Sequence, residues 1–74
     1  MNMKDNIHVL DVVAVLEDIP ERGVHRGQVG TVVELLTDGV FEVDFSDDEG
    51  HTYATFPLTG SQLMVLRYGP VEVA

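Results

Sequence analysis

The chain has no cysteine and no tryptophan, and only four of its 74 residues are lysine or arginine. Without cysteine, neither a disulfide framework nor a thiolate zinc site holds the fold together. Stability therefore rests on packing, in a chain that buries only ~60–65 % of the surface its unfolded form exposes. The four bases, Lys4, Arg22, Arg26 and Arg67, stand against thirteen acids, a formal charge of −9. Binding modes that neutralise phosphates need lysine and arginine in number, so this balance counts against nucleic acid. No apolar run approaches the ~20 residues of a membrane-spanning helix. Residues 1–5 carry one lysine with no apolar stretch behind it, so no secretory signal is expected and the chain reads as cytoplasmic, although the lack of cysteine suits an oxidising compartment equally well. No repeat or low-complexity tract is visible.

What is present is apolar patterning. The hydrophobic fraction is 45 %, spread in alternating stretches, which is enough to offset chain entropy and argues for a folded chain despite its charge. The length allows one domain, placed at residues 9–67 between an N-terminal extension (1–8) and a C-terminal tail (68–74). A β-branched run predicts a first strand around residues 10–16, ending before Ile19-Pro20. The polar loop 20–27 follows, with Gly23 and Gly27 as candidates for positive φ. A second strand is expected over 28–36, with a bulge or sharp bend at Gly30, where no Cβ fits. Asp38-Gly39 signals a tight hairpin turn. In the third strand, 40–45, Phe41, Val43 and Phe45 alternate strictly with Glu42 and Asp44, so one face is buried and the other wet. Residues 46–50 form a second turn. A fourth strand over 51–56 is stopped by Pro57, one 3₁₀ turn fits within 58–62, and a fifth short strand covers 63–67. The segment 71–74 is able to fray or to join a sheet edge. Five short strands at this rhythm, with no stretch of helical period, predict an all-β fold, a small, strongly bent antiparallel barrel with one 3₁₀ turn before the last strand.

The stretches 11–20 (Asp-Val-Val-Ala-Val-Leu-Glu-Asp-Ile-Pro), 26–34 (Arg-Gly-Gln-Val-Gly-Thr-Val-Val-Glu), 41–45 (Phe-Glu-Val-Asp-Phe) and 50–54 (Gly-His-Thr-Tyr-Ala) resemble the bacterial family catalogued as domain of unknown function 4926, over roughly residues 9–67. The segment around Gly30 also resembles, more weakly, the KOW-type segment of SH3-like barrels. The family resemblance implies an SH3-like barrel and supplies no enzyme activity and no catalytic residues. Members lying beside toxin or nuclease-like genes imply an immunity or antitoxin role.

Among candidate sites, the acids come first. Five of the thirteen lie between residues 42 and 49. Glu42 and Asp44 project from one strand face, and Asp47, Asp48 and Glu49 carry the negative surface around the turn. This is either a solvated face or a docking patch for a basic partner; a divalent-cation site is disfavoured, since the segment lacks the EF-hand register. Arg22 and Arg26 are either paired with Glu17, Asp18 or Glu21, or serve as interface anchors. Tyr53 and Phe56 point to opposite faces of the fourth strand, so one is buried and the other is a contact candidate. His8, His25 and His51 lack zinc-site spacing and read as surface residues. Neither Ser46 nor Ser61 lies in a nucleophile motif, and Gly23, Gly27 and Gly30 have the wrong spacing for a phosphate cradle. No catalytic residue, metal or cofactor is therefore assigned. The resulting expectation is a non-enzymatic, acidic protein-binding module, possible as an immunity or antitoxin-like protein, that covers a basic partner surface with Glu42, Asp44, Asp47, Asp48 and Glu49. Its rivals are a self-associating or complex-subunit barrel and a KOW-like RNA-binding domain.

Overall fold

A computed structural model describes residues 7–67. The β-branched and aromatic runs form five strands: β1 (Val12–Val15), β2 (Val29–Thr37), β3 (Val40–Ser46), β4 (Thr52–Thr59) and β5 (Leu63–Val65). Short 3₁₀ turns cover Pro20–Arg22 and Gly60–Gln62, and no α-helix occurs among the described residues. The strands make one antiparallel sheet in the order β4-β3-β2-β1-β5. This is the all-β, five-stranded antiparallel arrangement expected, including the 3₁₀ turn before the last strand. It differs in one respect: the sheet is not closed, because β4 and β5 are edges with no ladder between them.

Strand alternation sorts the side chains into two faces. One inner row crosses all five strands as Val65, Val13, Gly30, Phe45 and Ala54. Around it Val15, Val32, Phe41, Val43, Phe56, Leu58 and Leu63 join one apolar core, with Val13, Val32, Val43 and Phe45 fully buried. Phe45 stacks on Phe56 with ring centroids 5.2 Å apart, a contact worth about 0.5–1.5 kcal/mol beyond its area. Gly30 makes this packing possible. A Cβ built on it would meet the Asp44 carbonyl oxygen at 2.7 Å, Val43 Cγ1 at 2.8 Å and Phe45 Cδ1 at 3.0 Å.

Several boundaries differ from the sequence expectation, each for a physical reason. The first and last strands are shorter than 10–16 and 63–67, although Leu66 N–H still bonds the Val12 carbonyl at 2.9 Å. Pro57 does not stop the fourth strand. It pairs with Glu42 inside β4, because an edge strand has one backbone row without ladder partners and tolerates a missing N–H there. The register is regular at Gly30, so of the bulge or bend expected there the bulge is absent. It falls instead at Val33 and Leu36, each an extra residue in β2 against β3. In the hairpin only Gly39 takes positive φ (77°), so Asp38-Gly39 does not adopt the turn with two positive φ values. The last 3₁₀ turn is fixed by a capping box in which the Gln62 side chain accepts the Thr59 N–H at 2.9 Å.

The 20–27 loop is less polar than it reads. Ile19 and Val24 bridge to each other and enter the core, and Gly23 and Gly27 take the expected positive φ, 70° and 93°. The tail segment 71–74, and most of the N-terminal extension, lie outside the described residues.

Replacing Gly30 by alanine forces backbone of β3 away from β2. We expect a loss of about 1–3 kcal/mol in urea unfolding, against about 1 kcal/mol for Gly39→Ala, where only the positive φ is strained.

Candidate functional site

The inward Phe41, Val43 and Phe45 force Glu42 and Asp44 onto the outer face, where both are half-buried. Asp44 stands between Thr31 and Thr55, and the Thr55 hydroxyl donates to its Oδ1 at 2.8 Å. Glu42 lies between Pro57 on one side and Glu34 on the other. Glu34 joins this face only because the extra residue at Val33 changes the phase of β2; strict alternation from the buried Val32 would have pointed residue 34 inwards. Directly opposed carboxylates repel, so this pair is a local destabilisation.

The acidic stripe continues into the β3–β4 loop, but its members differ in role. Asp47 is a strut. Its Oδ1 accepts the backbone N–H groups of Glu49 and His51, each at 2.9 Å. Those bonds, the one from His51 foremost, hold its carboxyl below the usual aspartate value against an opposing desolvation. His51 Nδ1 lies 3.5 Å from Asp47 Oδ2 and 3.7 Å from Glu49 Oε1, at the exposed rim. Asp48 and Glu49 face solvent.

An open cleft of about 620 Å³ runs between this loop and the start of β2. Asp47, Asp48 and Glu49 line one side, Gln28 and Val29 the other, with Tyr53 between. Tyr53 sits at a register shift, since Phe45 pairs with Ala54 and Ser46 with Thr52. As expected of this pair, Phe56 is buried and Tyr53 is 52 % exposed. The Tyr53 hydroxyl accepts a hydrogen bond from Gln28 Nε2 at 2.6 Å. Gln28 and Val29 were not legible as site residues, because their relation to the loop depends on sheet order.

The arginines stand elsewhere. The Arg22 guanidinium carbon lies 5.0 Å from the centre of the Phe56 ring, clamping the β1–β2 loop over the core. Asp18 accepts the backbone N–H of Arg26 at 2.8 Å. Among the described residues no arginine lies within ion-pair distance of a carboxylate, so the expected pairing with Glu17, Asp18 or Glu21 is not made. His8, His25 and His51 are exposed as expected, and no three His, Asp or Glu side chains among the described residues converge as metal ligands.

The family model described as domain of unknown function (DUF4926) matches residues 9–65, well over half of the chain. The chain belongs to the DUF4926 family. No curated protein and no solved structure matches it. The chemistry of the cleft in this DUF4926 domain is a row of carboxylates beside one exposed phenol, facing an apolar wall at Val29.

Because folding lowers the Asp47 pKa, its ionised form stabilises the native loop above the unfolded value near 3.8, and that contribution is lost as pH falls through the folded value. In thermal melts from neutral to acid pH, the advantage of the wild type over Asp47→Asn should shrink below about pH 4. Arg22→Ala should lower stability by about 0.5–1 kcal/mol and speed hydrogen exchange at Val24, with Arg22→Lys intermediate.

Proposed function

We propose that this DUF4926 domain is a non-enzymatic protein-binding module that covers a basic surface of a partner, in the manner of an immunity or antitoxin protein. The observation that carries the reading is the organisation of the acids on the outer face. Glu34, Glu42 and Asp44 form a stripe across β2 and β3, which leads into the cleft rimmed by Asp48 and Glu49 around the half-exposed Tyr53. Carboxylates at such a rim attract a cationic surface over a distance and raise its rate of encounter. Tyr53 offers a rigid ring on which a lysine or arginine side chain stacks.

Not all of the candidate acids serve this role. Asp44 and Asp47 are engaged by Thr55 and by the loop backbone, so their removal perturbs the fold as well as the charge. The partner contacts are assigned to Glu42, Asp48, Glu49 and Tyr53, with Arg22 reassigned to the core clamp and Arg26 left at the periphery. The test is co-purification of the tagged chain with the product of its neighbouring gene. Binding should weaken about tenfold or more between low and ~0.5 M salt, and be lost in the double variant Asp48→Lys, Glu49→Lys, with Glu21→Lys as an unaffected control. Salt-independent binding, or full binding by the double variant, would show that the acids are only a solvated face.

A further inference from the structure

The outer face of the sheet carries a second surface beside the acids. On β1, Val12 and Ala14 lie on the outer side of the strand, Val12 half-buried and Ala14 buried at 7 % exposure, and Leu16 continues their row past the strand end, its N–H bonding the Gln62 carbonyl at 2.9 Å. Met64 pairs with Ala14 from β5, and Val29 pairs with it from β2. Met64, Val29 and Leu16 are 49 %, 47 % and 43 % exposed, and the small Ala14 between the first two cannot screen them. Single exposed apolar residues are ordinary, but a connected set on one sheet face marks a contact surface. This set has a definite border. Val12 is followed across the sheet by Thr31 and then Asp44, and Val29 itself forms a wall of the cleft that holds Asp48, Glu49 and Tyr53. The apolar set therefore meets the acidic rim at Val29.

We infer that this combined face binds a polypeptide segment presenting apolar side chains next to lysine or arginine. The apolar groups lie on Met64 and Val29, and the cations reach Tyr53, Asp48 and Glu49. This rests on the protein-binding reading above and adds what the partner must contain. Charge selects the occupant. A second copy brings another −9 and the same acidic rim, and a phosphate-bearing nucleic acid or an anionic lipid surface meets the same repulsion. The chain's own residues 68–74 supply Val71 and Val73 with Glu72 as their one charged side chain, and residues 1–6 set their one lysine, Lys4, beside Asp5, so neither segment brings the net positive charge that the rim selects. A purely cationic segment satisfies the rim and leaves Met64 and Val29 in water. Only a segment with both chemistries fits the whole face.

The probe is a set of three short synthetic peptides, alternating Lys-Leu, Lys-Ser and Glu-Leu, titrated into the ¹⁵N-labelled full chain. The Lys-Leu peptide should shift the amides of Ala14, Val29, Tyr53 and Met64 together. The Lys-Ser peptide should bind about tenfold more weakly, the equivalent of one apolar side chain left unburied, and shift only the loop and Tyr53. Met64→Ser should weaken the first peptide and leave the second unchanged. Equal binding of Lys-Leu and Lys-Ser overturns this inference while leaving the acidic docking site intact; equal binding of Lys-Leu and Glu-Leu removes the role of charge. If no peptide binds, the docking reading and this inference fall together. Dimerisation in sedimentation that protects Met64, or matching amide shifts on deletion of residues 68–74 alone, assigns the face to a second copy or to the chain's own tail and overturns the proposal.

Discussion

The backbone of Asp44 and the side chains of Val43 and Phe45 occupy the space that a side chain at residue 30 would fill, and the rest of the molecule depends on that close approach. With no Cβ at Gly30, β2 approaches β3 closely enough for Phe45 to reach the centre of the inner row and stack on Phe56. Phe56 in turn receives the Arg22 guanidinium, which holds the β1–β2 loop against the open side of the sheet and places Val24 in the core. The same contact fixes the outer face. Once Phe45 and Val43 are committed inwards, Asp44 has to face outwards, and the β3–β4 loop leaves the sheet in the direction that brings Asp48 and Glu49 towards Tyr53. The candidate site is thus a by-product of core packing.

The charge of −9 is more structured than a count suggests. Several acids are local hydrogen-bond acceptors: Asp11 for the His8 N–H, Asp18 for the Arg26 N–H, Glu17 for the Gln62 amide, Asp44 for the Thr55 hydroxyl and Asp47 for two backbone N–H groups. These hold loops in place in a chain that has no disulfide to do so. Among the described residues Glu34, Glu42 and Asp48 accept no hydrogen bond, and the opposition of Glu34 to Glu42 is unfavourable on its own. This repulsion on one exposed face supports the proposed docking of a cationic surface, which would relieve it.

How much of this was legible follows from the range of each signal. The strict alternation of residues 40–45 and the glycines at 23, 27 and 39 are local statements, and they read correctly. Gly30 was legible as a place without room for a Cβ, but not the identity of what fills that room, since Phe45 is brought there by pairing. Pro57 was misread because its effect depends on whether its strand is central or at an edge, a property of sheet order rather than of the neighbouring residues. Glu34 was missed because the extra residue at Val33 has no sequence mark, and Gln28 and Val29 because they join the acidic loop only through the fold. The capping box from Thr59 to Gln62 carried a readable pattern that alternation alone does not detect.

Pro57 also governs what the open sheet does at high concentration. Strands that stack into fibres need an uninterrupted row of donors and acceptors along the growing edge. On β4 (Thr52–Thr59) that row has a gap towards the C-terminal end, where Pro57 has no N–H, and the other edge among the described residues, β5, offers only Leu63–Val65. A proline at that position weakens β4 as a template for the addition of further strands.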